Sequence, residues 1–203
     1  MKKLLLVVLF LGTSINVVNA KNSNKDLGAF LYIGAGHQIS NVDYKIDKEG
    51  DSAGCLENCK NNFEERYNDA NFFVGRDITD NIALEIGYYR TKNEVKQDTL
   101  LGVSSETNLK IINLDTVLSR PIIAGSNHKF LGILTLSDIR HASSSILGDA
   151  VDNGYGYGVG LGIEIAIDKA VAVQAFSKIS NVKKISYIDD IASYGLNFKI
   201  KLF

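Results

Sequence analysis

The sequence predicts an all-β protein, a closed antiparallel eight-stranded transmembrane β-barrel with up-and-down topology. Three observations predict it. The 203-residue chain contains eight segments in which apolar residues alternate with polar or small ones. Three short turns and four longer polar stretches join these segments in strict alternation. Beyond the N-terminal region no apolar run reaches the roughly 18 residues of a spanning helix, so a membrane could be crossed only by strands paired in a closed barrel.

The clearest alternation covers Gly154–Ile165, where every second residue is apolar. Strand side chains point alternately to two faces, so one face of this segment is wholly apolar. The other face carries glycines and Glu164. That pattern suits a narrow barrel interior, in which bulky side chains of neighbouring strands need room. The chain turns at 166–169 and returns along Val171–Lys178.

Six further segments complete the barrel: Leu27–Ile39, Asn71–Ile78, Ile82–Tyr89, Leu109–Arg120, Phe130–Ile139 and Ser193–Phe203. The outward face is clear in most of them. It stays open for the first and fifth strands, Leu27–Ile39 and Phe130–Ile139, because both of their faces carry apolar residues. The four polar stretches, at 44–66, 91–106, 141–153 and 181–190, are predicted to be long loops at one end of the barrel.

The N-terminus has the pattern of a secretory signal peptide. Lys2 and Lys3 precede the apolar run Leu4–Leu11, and Val18–Ala20 ends in the small residues of a cleavage site. Since the apolar run is much shorter than the roughly 20 residues of a membrane anchor, cleavage is the better interpretation. We therefore expect residues 1–20 to be removed and residues 21–203 to form a single barrel domain.

The charge balance argues against a nucleic-acid-binding protein. The chain has 22 basic and 23 acidic residues, and removal of Lys2 and Lys3 would leave a net charge near −3 (20 against 23). Nucleic-acid-binding domains instead carry a basic excess. The only two cysteines, Cys55 and Cys59, lie in the first polar stretch, where an oxidising compartment predicts a structural disulfide. No histidine stands nearby to complete a zinc site, so we expect no metal and no cofactor.

Charged residues fall on the inward parity of several strands. The predicted lumenal charge network consists of Asp77, Glu85, Asp115, Glu164, Lys199 and Lys201. Unpaired buried charges are costly, so we expect the two lysines to face the carboxylates as an ion-paired plug. The alternative is a gate that opens a small pore.

The segments Ile82–Tyr89 and Gly154–Glu164 and the C-terminal Tyr194–Phe203 resemble the small outer-membrane barrels of the OmpA/OmpX type, also described as opacity-like outer-membrane proteins. The resemblance covers essentially the whole chain after residue 20. It implies a location in the bacterial outer membrane after export through the periplasm, short periplasmic turns and four long extracellular loops. It also implies a terminal aromatic residue, here Phe203, that the barrel-assembly machinery reads. Phe203 departs from the usual pattern because it shares parity with Lys199 and Lys201.

The resemblance implies a monomer embedded in outer-membrane lipid and lipopolysaccharide. Its loops would serve surface interaction with a host or environmental ligand, or envelope integrity. The alternative is a small low-conductance porin. A third hypothesis is a lipid A-modifying enzyme, because outer-membrane lipid A deacylases carry a His-x-Ser-Asn motif that His141 and Ser143 partly match. Ser144 replaces the asparagine and no glutamate follows at the expected distance, so we predict no catalytic residue.

Overall fold

The computed structural model describes residues 31–44, 65–91, 94–98, 103–145 and 148–202. These residues form nine β-strands: β1 (Leu31–Tyr44), β2 (Arg66–Thr79), β3 (Ile82–Arg90), β4 (Glu94–Asp98), β5 (Val103–Pro121), β6 (Lys129–Ser145), β7 (Gly148–Ala166), β8 (Val171–Lys183) and β9 (Ile188–Leu202). The described residues include no helix that is long and apolar enough to cross a membrane. The predicted signal peptide, Cys55, Cys59 and Phe203 lie outside the described residues.

Eight of these strands close into a ring in which every neighbouring pair is antiparallel. Consecutive strands pair from β1 to β3 and from β5 to β9. β3 pairs with β5, and β1 pairs with β9, for example at Ile33 opposite Ile200. The short strand β4 pairs with the first part of β5 and extends the wall beyond the end of β3. The predicted closed, up-and-down, eight-stranded barrel is therefore confirmed.

The connections define two ends of the barrel. At the turn end, residues 80–81, 122–128 and 167–170 join successive strands, and β1 starts beside the end of β9. The opposite end is called the loop end. Strands of about 9–11 residues suffice to cross a membrane, whereas β5 and β7 each have 19 residues. The walls therefore extend well past the length that a bilayer requires.

This extension corrects the prediction of long loops for three of the four polar stretches, whereas most of the first stretch, residues 45–64, lies outside the described residues. The stretch 141–153 is largely a hairpin, because β6 and β7 stay paired as far as Ser145 opposite Gly148. In the stretch 181–190, only residues 184–187 lie between strands, and the stretch 91–106 contains β4 and the start of β5. The backbone ladder can continue where apolar alternation stops, because its hydrogen bonds do not depend on the side chains. Polar composition was therefore a poor guide to where the strands end.

The structure also settles the facing of the two ambiguous strands. In β1, Leu31 and Ile33 face outward and are nearly half exposed, whereas Tyr32 points inward and is fully buried. In β6, Phe130 faces outward and Leu131 inward. Both faces carry apolar residues because the lumen itself contains apolar clusters.

Two apolar clusters fill much of the interior. The turn-end cluster consists of Tyr32, Phe73, Ala83, Val117 and Leu131. The loop-end cluster is larger and consists of Val42, Tyr44, Tyr67, Tyr89, Leu109, Ile111, Ile139, Val182, Ile185, Ile188 and Ile191. Inward-facing glycines make room for the aromatic rings, since a Cβ atom at Gly34 would overlap the ring of Phe73 and one at Gly75 the ring of Tyr32.

Candidate functional site

The candidate site is the set of charged side chains inside the barrel. The structure places all six residues of the predicted network on the inward face. Glu85, Asp115, Glu164 and Lys199 are buried, whereas Asp77 and Lys201 are partly exposed near the turn end. The burial of these charges follows from the period-two alternation, which puts apolar residues on the outer wall and these side chains opposite them.

Lys199 and Glu164 form the central ion pair of the turn-end half. The distance between Lys199 Nζ and Glu164 Oε2 is 3.1 Å, and Gln174 Nε2 donates a 2.9 Å hydrogen bond to the same carboxylate oxygen. Lys199 Nζ also lies 3.7 Å from the centre of the Tyr32 ring. A buried ion pair is stable only when further groups satisfy it, and here an amide and an aromatic face supply those contacts.

The other predicted lysine forms a weaker pair. Lys201 Nζ lies 3.9 Å from Asp77 Oδ2, and the two side chains are 30% and 22% exposed. Strand β1 lies between β9 and β2, so this pair reaches across Tyr32, which is opposite Lys201 in the register. Because solvent screens an exposed pair, we expect it to contribute little to stability.

Asp115 pairs with a lysine outside the predicted network. Lys178 Nζ lies 2.9 Å from Asp115 Oδ2, and both side chains are 9% exposed. Glu85, directly opposite Asp115 in the register, accepts a 2.8 Å hydrogen bond from the Tyr32 hydroxyl. The structure therefore brings both buried lysines, Lys178 and Lys199, to carboxylates. It gives Glu85 a phenol as its hydrogen-bond donor.

A polar cavity of about 30 Å³ lies beside the Asp115 pair. Asn71, Asn197 and Asp115 line it, and the Oδ1 atom of each is buried without a hydrogen-bond partner among the described residues. A polar cavity of this size has room for a water molecule, which would donate to these oxygens. Asn71 and Asn197 are both opposite Gly36, and this glycine keeps space open between the two amides.

A second polar cluster lies at the loop end around His141. Its Nε2 is 3.2 Å from the Tyr44 hydroxyl and 3.3 Å from the Tyr67 hydroxyl, and its Nδ1 is 3.1 Å from the Tyr187 hydroxyl. Tyr187 also donates a 2.6 Å hydrogen bond to Asp152 Oδ2. Burial is the main cause that raises the pKa of Tyr187, and the hydrogen bond to Asp152 adds to it. Tyr187 therefore remains a hydrogen-bond donor.

The structure shows the surroundings of His141, the candidate base of the third hypothesis. His141 is fully buried inside the barrel, and each of its ring nitrogens contacts a tyrosine hydroxyl. The contacts described for its ring nitrogens are with Tyr44, Tyr67 and Tyr187. In the part of the chain that the structure describes, no three His, Cys, Asp or Glu side chains are grouped to hold a metal ion.

Comparison with known proteins shows a fold shared with small outer-membrane barrels. No family model and no curated protein matches the chain. Neisserial surface protein A has a similar structure, with a TM-score of 0.63 and 16% identity over 85% of this chain and 97% of that one. Ail, the attachment invasion locus protein of Yersinia pestis, has a TM-score of 0.56 and 11% identity over 86% of this chain and 99% of that one. The N-terminal β-barrel domain of Pseudomonas aeruginosa OprF has a TM-score of 0.50 and 11% identity over 83% of this chain and 97% of that one. The chain thus has the fold of small eight-stranded barrels of the OmpA/OmpX type.

Proposed function

We propose that this chain is a bacterial outer-membrane barrel protein whose lumen is plugged by charged side chains and whose loop end carries its biological activity. The observation that carries the proposal is an apolar outer wall around a filled interior that contains buried ion pairs. Leu161, Val159 and Phe198 are between 57% and 74% exposed on that wall. Soluble monomers rarely expose continuous apolar patches of more than a few hundred Å², and a belt around the whole ring fits contact with lipid.

The filled lumen supports the plug. Eight-stranded barrels are just wide enough for side chains to fill. The ion pairs Lys178–Asp115 and Lys199–Glu164 are buried inside the barrel, which also contains the two apolar clusters. A plugged lumen would leave the loop end for recognition of an external ligand, since a rigid scaffold commonly presents binding residues on its loops.

Several further parts of the proposal come from the sequence. Residues 1–20 would direct export and be cleaved in the periplasm, and Phe203 would be read by the barrel-assembly machinery. Cys55 and Cys59 would form a disulfide. The mature barrel would be a monomer in lipid and lipopolysaccharide, and its loops would contact a host or environmental ligand or support envelope integrity. Ail, one of the proteins with this fold, is described as an attachment invasion locus protein.

The second candidate function is a small low-conductance pore. It is favoured by two polar cavities at different levels of the lumen, of about 30 Å³ and about 10 Å³. Lys199 and Glu164 line the smaller one and Lys178 and Asp115 the larger. Movement of these ion pairs would be needed to join the cavities into a path.

Single-channel conductance in a planar bilayer tests the two candidates. The folded wild type is compared with the Lys178→Gln/Lys199→Gln variant and with a control, Lys110→Gln/Lys183→Gln, that removes two lysines from the outer wall. A plugged barrel predicts a silent wild type and control, with discrete openings only in the lumenal variant. Discrete openings of the wild type would favour the low-conductance pore over the plugged barrel. The enzymatic hypothesis is tested by overexpression, where a plugged barrel predicts an unchanged lipid A mass spectrum.

A further inference from the structure

We propose that the outer wall binds the phosphate groups of a phosphorylated membrane lipid at the basic row, defined as Arg90, Lys110 and Arg140. The inference rests on the membrane location proposed above and names a lipid site on that wall. It does not involve the lumen or the loop ligand.

The basic row crosses three neighbouring strands. Arg90 on β3 is directly opposite Lys110 on β5, and Lys110 is directly opposite Arg140 on β6. All three have the outward parity of their strands, which Tyr88 and Ile112 share. Directly opposed residues have Cα atoms about 5 Å apart, so the row is about 10 Å wide. Three cations are thus held side by side on the lipid-facing surface.

This arrangement is unfavourable without an anion. Like charges directly opposite each other destabilise a sheet. Among the described residues no carboxylate forms an ion pair with any member of the row, and the one contact described for Lys110 is with the Tyr88 ring, 5.4 Å from Nζ to the ring centre. An anionic ligand that bridges the three cations would remove the repulsion. Arginine suits phosphate in particular, because its planar fork can donate two parallel hydrogen bonds.

The row lies where lipid headgroups are expected. Arg90 is eight positions from Ile82, the first residue of β3 at the turn end. Eight residues rise about 26 Å along a strand, or about 20 Å along the barrel axis at a tilt of about 40°. An apolar belt is about 25 Å tall, so the row sits close to its upper border. Tyr88, Tyr155 and Tyr157 are exposed beside it, as in the aromatic girdle of a membrane interface.

Neighbouring charges define how the site should respond to mutation. Lys183 and Lys184 continue the basic surface beyond β7, lying 6.0 Å and 5.5 Å from the ring centres of Tyr157 and Tyr155. Asp138 lies on the outward face of β6, two residues from Arg140 and opposite Ile112. Its negative charge would repel a phosphate, so its removal should strengthen binding.

The width of the basic row, about 10 Å, suits a lipid that carries two phosphate groups.

The test is a titration of the full-length folded protein in dodecyl maltoside micelles with bisphosphorylated lipid A, read by native mass spectrometry. The variant Arg90→Gln/Arg140→Gln removes both arginines of the row. The control Arg76→Gln/Arg120→Gln removes the same residue types from the outer wall at the turn end. Each basic residue near an anionic lipid surface contributes about a fivefold factor in affinity. We therefore expect roughly 30-fold weaker binding for the row variant, less than threefold weakening for the control, and tighter binding for Asp138→Asn.

Several results would overturn the inference. Equal weakening in the row variant and the control would show unspecific attraction between basic residues and lipid. Equal affinity for a dephosphorylated lipid A would remove phosphate as the recognised group. Binding of water-soluble inositol hexakisphosphate as tight as that of the lipid would favour a soluble polyanion. Insertion of the wild type into lipid vesicles separates the two proposals: insertion without phosphate preference removes only the lipid site, whereas failure to insert removes the proposed function.

Discussion

Lys178 and Asp115 are 63 residues apart in the chain and form an ion pair of 2.9 Å inside the barrel. Asp115 is also directly opposite Glu85 on the neighbouring strand. Two carboxylates therefore lie side by side in the lumen, and Lys178 forms an ion pair with one of them. The stability of the barrel should depend on that lysine more than on either carboxylate.

The first prediction concerns Lys178→Met, which keeps a long side chain and removes the ammonium group. Asp115 would remain buried without its counter-charge and next to Glu85. Breaking a buried pair on one side costs about 3–5 kcal/mol. We expect a loss of this size in the free energy of unfolding, measured by urea titration in lipid vesicles with heat-modifiable gel mobility as the readout.

The double variant Lys178→Met/Asp115→Leu is the control for that experiment. Replacing both members of a buried pair with apolar groups is often neutral or stabilising. Most of the stability lost in the single variant should therefore return, and the coupling between the two positions should be large. A double variant as unstable as Lys178→Met alone would mean that packing, and not charge, explains the first loss.

The second prediction concerns Glu85→Gln. Glutamine keeps an oxygen that accepts the hydrogen bond from the Tyr32 hydroxyl and removes one of two opposed negative charges. We expect the free energy of unfolding to stay within about 1 kcal/mol of the wild type or to rise, because like charges directly opposite each other are unfavourable. A decrease of more than about 2 kcal/mol in the free energy of unfolding would contradict this. It would show that the negative charge of Glu85 stabilises the buried ammonium group of Lys199 or Lys178.

Alternation predicted which face each charged residue occupies, and it did so because the apolar outer wall is continuous in strands such as β7 and β9. It failed for β1 and β6, where Tyr32 and Leu131 are apolar or aromatic and yet point inward. The lumen of a narrow barrel is packed with rings as well as charges, so apolar character alone does not mark the outer face. The inward positions of Tyr67 and His141 were not predicted, for a related reason. Tyr67 lies between the first polar stretch and the next predicted strand, and His141 lies in a stretch interpreted as a loop. A count of every second residue from Phe73 and Ile139 nevertheless places both inward.

Parity fixes the face on which a residue lies but not its height in the barrel, so the sequence did not identify the partner of Asp115. The sequence predicted that Lys199 and Lys201 would face the carboxylates, whereas Lys178 holds Asp115. Height depends on the register between strands, which turns and irregularities set, such as the register shift in β2 between Asp77 and Thr79. Those features leave no mark in the alternation of apolar residues.

The third prediction uses two inward-facing glycines on neighbouring strands. A Cβ atom at Gly75 would overlap the ring of Tyr32, whereas one at Gly87 would only touch Asn113 at an ordinary 3.7 Å. Overpacking of a filled interior costs about 1–3 kcal/mol. We therefore expect Gly75→Ala to lower the free energy of unfolding by that amount and Gly87→Ala to leave it unchanged or slightly raised. Equal losses in both variants would show that backbone conformation, and not the ring of Tyr32, demands glycine.

The last prediction concerns the loss of stability at alkaline pH. At the loop end, Tyr187 bridges His141 and Asp152. Burial and the Asp152 carboxylate raise the pKa of Tyr187 above its ordinary value near 10. The protonated Tyr187 hydroxyl therefore makes its full contribution to the free energy of unfolding below about pH 10. This contribution is lost as the pH rises towards the higher pKa that Tyr187 has in the folded state. The stability of Tyr187→Phe should accordingly fall less steeply above pH 10 than that of the wild type, in urea titrations at successive pH values. Asp152→Asn should show an intermediate slope, because it removes the carboxylate and leaves the burial. Parallel profiles of the three proteins above pH 10 would contradict the assignment, since lysine titration is common to all of them.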